Sequence, residues 1–180
     1  KQLSLTPDVH TYTRLASAYS RSKGFEAARA IPARMRADGV EPNFVTYAVM
    51  VDAALATGDV AGAEAMIREM EESGVELDAR PFHAVMRHHI KAGDVDAAAE
   101  VWERLREKDL QPAGRHTSEK YPQQAVADLL SGLIKLRVEK GQTKKAEQHF
   151  NEMLQAGLTP KWEIYNWLIG VFGKEGNPGK

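Results

Sequence analysis

Residues 42–78 read PNFVTYAVMVDAALATGDVAGAEAMIREMEESGVELD, and the order of residue types in this stretch decides the fold. Pro42 and Asn43 open it as a helix start would, since proline is tolerated in a first turn and an asparagine side chain caps the exposed amide groups there. Tyr47 is followed three and four places on by Met50 and Val51, which is helical spacing and not strand alternation. Gly58 interrupts the pattern. Beyond it Ala63 and, seven places later, Met70 put a small and a long apolar residue on one face of a second helix, so that two helices approach closely and the gap between units is filled. Gly74 stands where a left-handed C-cap would end that helix. The stretch therefore reads as helix, turn, helix, stop.

The same phrase recurs along the chain. Pro7, Pro42, Leu77 and Pro112 lie 35 residues apart and Pro160 follows 48 later, while Gly24, Gly58, Gly93, Gly141 and Gly176 keep nearly the same beat. The interval of 48 is one period with 13 residues inserted. This sets units at 9–43, 44–78, 79–113 and 127–161, an insertion at 114–126, the tail of a preceding unit at 1–8 and a partial unit at 162–180. The fourth place of each unit is an aromatic or a leucine: Tyr12, Tyr47, Phe82, Leu130 and Tyr165. Ala28, Ala63, Ala98 and Ala146 recur in the second halves, with Met35, Met70, Leu105 and Met153 seven places after them. Gly39, Gly74 and Gly157 mark unit ends, with Asp109 in that place in the third unit. So small a helix pair cannot bury its own apolar face. The expected fold class is all-α: a right-handed α-solenoid of stacked antiparallel helix-turn-helix repeats, about four full repeats with partial ones at both ends. Pro32 offends against the pattern, because it falls inside the first unit's second helix, where proline costs about 3 kcal/mol; a kink and a weaker unit are expected.

Composition limits the chemistry. The 180 residues carry a net charge of -1 and no cysteine, which removes disulfides, thiolate nucleophiles and cysteine-based zinc sites. Apolar residues make up 43% and charged residues 27%, and no apolar run approaches a membrane span, so membrane insertion is not expected. The opening KQLSLTPD has no Met start and neither a secretory nor a transit-type leader, so any targeting segment is expected to have been removed or to lie outside this stretch. His83, His88 and His89 share a helix without a carboxylate or cysteine at ligand spacing, and HExxH is absent. No Ser, His and Asp set, phosphate loop or paired-carboxylate site stands out either. Neither a metal nor a cofactor is expected, and an enzyme activity would need another domain.

The residues also distinguish between two families of tandem helix pairs. The glycine of the tetratricopeptide pattern Trp-x2-Leu-Gly-x2-Tyr is replaced by Ala16, Val51, Met86, Ile134 and Ile169. By contrast, residues 42–78 and EIYNWLIGVFGKEGN at 163–177 closely resemble the pentatricopeptide repeat, with its Val-Thr-Tyr-Asn-x-Leu-Ile, then Gly, Ala, Met and Gly-x-x-Pro-Asp. The resemblance covers nearly all of the chain except 114–126, and the pure 35-residue period is similar to the family's simple class. It implies single-stranded RNA binding, one base per repeat, in mitochondria or chloroplasts. In the family a base is read by the fifth and last residues of a unit while the second packs against it. Carried over, the reading pairs are Thr13 with Asn43, Ala48 with Asp78, His83 with Ala113 and Ser131 with Lys161, and Asn166 stands at the reading place of the partial unit. Of these, Thr13 with Asn43 is the combination the family commonly uses, where it favours adenine. The base-packing candidates are His10, Val45 and Arg80, with Asp128 and Glu163 in the corresponding later places.

Charge sorts with the helices. The first helices, expected to line the inner surface, carry ten basic residues against five acidic ones, leaving an acidic remainder on the second helices, most plainly EMEES at 69–73. Arg21, Lys23, Arg87, Lys91, Lys135, Arg137 and Lys174 are the phosphate candidates; near a helix C-terminus such residues also complement the dipole. Trp102, Trp162 and Trp167 read as core or inter-helix residues. The insertion GRHTSEKYPQQAV reads as an exposed loop, with a short helix leading into the fourth unit. Two functions fit: an organellar single-stranded RNA-binding adaptor for processing, stability, splicing or translation, and a structural subunit of a large assembly such as an organellar ribosome, binding protein or RNA shape.

Overall fold

The computed structural model of the chain describes residues 7–108, 110 and 123–174, with the backbone alone at 22, 23, 172 and 174. Regular structure among the described residues is entirely helical. In chain order the elements are α1 (Val9–Lys23), α2 (Phe25–Ala28), α3 (Ile31–Ala37), α4 (Phe44–Ala56), α5 (Val60–Glu72), α6 (Ala79–Ala92), α7 (Val95–Glu107), α8 (Gln123–Glu139), α9 (Thr143–Gln155) and α10 (Trp162–Lys174). The chain forms two compact units, Lys1–Val85 and Met86–Lys180. Residues 1–6, 109, 111–122 and 175–180 fall outside the described set, and with them Asp109, Ala113 and most of the insertion.

In the first unit α4 packs on α5 and on α1, while α1 also holds α2 and α3. Short returns make neighbours antiparallel. Each uses a glycine with positive φ: Gly58 at φ +79 between α4 and α5, and Gly39 at φ +73 after α3. At the second of these the Val40 amide returns to the Met35 carbonyl at 2.9 Å, closing the helix end in a conformation that a Cβ would disfavour. The alanines carry out the close approach read from the sequence: Ala28, Ala63, Met35 and Met70 are all fully buried, with Tyr47 beside them. Burying each large apolar side chain contributes about 1.5–3 kcal/mol. Tyr47 also keeps a polar end, since Arg36 Nη2 donates to its hydroxyl at 2.6 Å and Arg36 Nη1 to Glu69 at 2.8 Å, tying α3, α4 and α5 together. Gly62 is required by closeness and not by φ. A Cβ there would stand 2.4 Å from the Phe25 ring and 2.2 Å from Asp59 Oδ2, the carboxylate that caps α5.

Pro32 does not kink a continuous helix. The helix breaks before it: α2 ends at Ala28, Arg29 and Ala30 form a turn, and Pro32 lies in the first turn of α3, where its missing amide hydrogen has no partner to lose. The expected cost is thereby avoided at the expense of two short helices in place of one.

In the second unit α8 packs on α9, α7 and α10, with Ala98, Ala146, Leu105, Met153, Leu130 and Leu133 fully buried. The fourth place behaves alike at Tyr12, Tyr47, Phe82 and Leu130 but not at Tyr165, which is 44% exposed with its ring edge-on to Phe150 at 5.5 Å. Trp102 is buried on α7, and its indole N–H donates 3.0 Å to Glu152 of α9. The same carboxylate accepts from Gln148 at 2.9 Å and Arg106 at 3.0 Å, and lies 3.0 Å from His149 Nδ1. Burial pushes a carboxyl up, but hydrogen bonds from His149, Gln148 and Trp102 outweigh it and hold Glu152 at about 2, below its ordinary 4.5. A carboxyl depressed on folding stabilises the fold fully above its unfolded value and loses that contribution as pH falls. Denaturant titrations should therefore show stability declining between pH 4.5 and about 2, by up to an order of 3 kcal/mol from this group, and Glu152→Gln should flatten that decline.

Candidate nucleic-acid interface

At Asp8, Asn43 and Asp78 the residue ending one unit caps the next first helix. Asp8 Oδ1 accepts from the Thr11 amide at 2.8 Å, Asn43 Oδ1 from the Thr46 amide at 3.1 Å and Asp78 Oδ1 from the Arg80 amide at 2.8 Å. These bonds satisfy helix-start amides and also aim the side chains. Lys161 has no acceptor to offer in that place. Its ammonium instead meets Asp128 Oδ1 at 2.7 Å, and this contact holds the Asp128 carboxyl below its usual range and raises Lys161.

Thr13 and Asn43 come together through a residue not anticipated from the sequence. Buried Thr46 donates from its hydroxyl to Asn43 Oδ1 at 3.2 Å, and its Oγ1 lies 3.5 Å from that of Thr13. Thr13 itself donates to the Val9 carbonyl at 2.8 Å. The one available signal was the threonine three places after a capping asparagine. Next along, Ala48 is half-buried and brings no polar group to Asp78. Arg80 covers that carboxylate, with its Nε 2.9 Å from Oδ1 and its guanidinium carbon 4.7 Å from the centre of the Phe44 ring. His10 is exposed and Val45 is 51% exposed.

Other candidates sit differently from the sequence expectation. His83 is 1% exposed and Ser131 is buried with its hydroxyl donating to the Ala127 carbonyl, so neither side chain presents an edge at the surface. Their positions in the unit matched the readers, but the helix face carrying them is packed. Arg137 is buried too, held by Asp96 at 2.9 Å and by Gln142, and it joins α8 to α7 in place of reaching outward. The Arg137 guanidinium lowers the Asp96 carboxyl. Arg21, Arg87, Lys91 and Lys135 remain exposed, as does Asn166. Lys135 lies 6.0 Å from the Trp167 ring centre and 3.6 Å from Glu139. Ala113 and the side chains of Lys23 and Lys174 lie outside the described residues. No cluster able to hold a metal occurs among the described residues, and no helix there is long and apolar enough to cross a membrane.

Capped helix pairs in a 35-residue register, with small residues at the close approaches, define an all-α protein of the helical-solenoid class. Residues 9–120 match the family model described as the pentacotripeptide-repeat region of PRORP, and residues 130–175 match that of the pentatricopeptide repeat domain. The chain belongs to the pentatricopeptide-repeat family. It is 31% identical over 77 residues to a mitochondrial pentatricopeptide repeat-containing protein of Arabidopsis thaliana, covering 43% of this chain and 13% of that protein. A chloroplastic member from the same plant is 28% identical over 93% of this chain and 20% of its own length. The Arabidopsis large ribosomal subunit protein mL102 is 27% identical over 67% of this chain and 15% of its own length. This chain thus spans a fifth or less of the length of these three relatives. Among solved structures, the PPR domain of Arabidopsis protein-only RNase P 1 in complex with tRNA superposes with a TM-score of 0.69 at 18% identity, over 94% of this chain and 83% of that one, a likeness of fold.

The cap at Asn43 gives a direct check on the joint. Asn43→Ala should cost about 1 kcal/mol of stability in chemical denaturation, whereas Asn43→Asp, which keeps an acceptor, should stay within a few tenths.

Proposed function

We propose that this protein is an organellar adaptor that binds single-stranded RNA on its first helices and performs no chemistry of its own. The observation that carries this reading is the Thr13, Thr46 and Asn43 cluster: two polar side chains 30 residues apart in sequence are linked at one surface through a buried hydroxyl. A base edge can be met there by a hydroxyl and a carboxamide together. The exposure of Val45 and Arg80, the base-packing candidates, and of Arg21, Arg87, Lys91 and Lys135, the phosphate candidates, supports this reading. Location in mitochondria or chloroplasts is supported by the names of the relatives. The adaptor would hold its RNA for processing, splicing, translation or protection.

A second reading is favoured by the later units, where His83 and Ser131 are buried and Lys161 is engaged by Asp128. There the array would serve as a structural subunit of a large ribonucleoprotein assembly, as the likeness to a ribosomal protein supports.

Selection from a random single-stranded RNA pool at near-physiological salt separates the two. The adaptor reading expects enrichment of a short motif containing adenine. It also expects a log–log salt slope of about -3, four phosphate contacts at roughly 0.7 each. A pool that returns without enrichment removes base reading and leaves the structural subunit.

A further inference from the structure

The first reading pair is more constrained than its two residues alone would be. An amide N–H can be accepted by oxygen and not by a carboxamide nitrogen, so the bond from the Thr46 amide forces Asn43 Oδ1 toward the helix and turns Nδ2 outward. The Thr46 hydroxyl has one proton and gives it to the same oxygen, at 3.2 Å. Its lone pairs therefore face the Thr13 hydroxyl 3.5 Å away, whose own proton goes to the Val9 carbonyl at 2.8 Å. With every proton placed, Thr13 offers an acceptor and Asn43 offers donors. Thr46 is wholly buried between them and touches both.

We infer that Thr46 is a positioning residue for base recognition: its buried hydroxyl adds a second bond to Asn43 Oδ1 and so holds the carboxamide with its donors outward, beside a Thr13 that Val9 fixes as an acceptor, and nucleotide edges of matching polarity are selected. This rests on the RNA-binding reading above. A free asparagine can present either end and a free threonine can either donate or accept, so each alone tolerates several edges. Asn43 held by Thr46 and Thr13 held by the Val9 carbonyl lose that latitude before the nucleotide arrives, and the freedom lost is not lost again on binding. Val45 and Thr46 divide the work on this turn of α4, since Val45 faces outward and Thr46 faces inward.

The test compares dissociation constants of the whole chain for short oligoadenylate, oligocytidylate and oligouridylate, with wild type, Thr46→Val, Thr46→Ser and Thr46→Ala. Valine keeps the shape and removes the hydroxyl, and serine restores it. The expected result is a fall of about three- to tenfold in the preference for oligoadenylate over oligouridylate in Thr46→Val and Thr46→Ala, the size of one modest hydrogen bond, with the preference recovered in Thr46→Ser; oligocytidylate, whose amine and ring nitrogen share adenine's polarity, should shift in the same direction. The salt slope should not change, because no phosphate contact is touched. Thermal unfolding measured alongside separates the two roles: a purely structural threonine would lower the melting temperature and leave the ratios among the oligomers as they were. An unchanged preference in Thr46→Val, with wild type still selecting oligoadenylate, overturns the positioning role and leaves RNA binding standing. Wild type that binds the three oligomers equally, or binds none, overturns base reading itself and the inference with it.

Discussion

A pair of helices about thirteen residues long cannot remove its apolar stripe from water by itself, and this constraint governs everything else in the chain. The answer in each compact unit is to bring a further helix against the stripe at close range. Close range requires a small residue at the point of approach, so alanine recurs at positions 28, 63, 98 and 146 and is fully buried each time. What an alanine leaves unfilled, a flexible methionine or a leucine fills. At Gly62 the approach is tighter still, and even one methyl group would collide with the Phe25 ring.

The same geometry leaves helix ends crowded together, and there the capping side chains gather. The cap that closes a first helix must be a small side chain with an acceptor, a requirement met at Asp8, Asn43 and Asp78. Such a side chain has a second polar atom that the helix does not use. At Asn43 that atom is the carboxamide nitrogen, while at Asp78 the carboxylate is taken up by Arg80, itself held against Phe44. Lys161 shows the rule by departing from it: a cation cannot cap amides, and its charge goes to Asp128.

Across the two units the polar resources are spent differently. In Lys1–Val85 buried Thr46 bonds to exposed Asn43 and lies against Thr13. In Met86–Lys180 comparable groups are consumed internally, Arg137 by Asp96 and Glu152 by Trp102, Arg106, Gln148 and His149. Those interactions hold neighbouring helices in place, and the first removes from the surface Arg137, which by its type and position was a phosphate candidate.

Repetition made the architecture legible from the sequence alone. Helix pairs, their register, the alanine and methionine core and the left-handed glycines at 39, 74 and 157 follow from local preferences that recur every 35 residues, and each recurrence checks the others. The cap at Asn43 was legible for the same reason, because it depends on backbone three residues away. What lay beyond reach depends on neighbours distant in sequence. Whether Pro32 kinks a helix or ends up in the first turn of a new one, whether a histidine at a reading place faces solvent or the core, and whether Arg137 meets Asp96 41 residues earlier are all decided by the helix that packs alongside. Periodicity places a residue on a helix, but burial and partnership arise only when that helix acquires its neighbours, and so the tertiary structure alone chose which polar side chains stay available for binding.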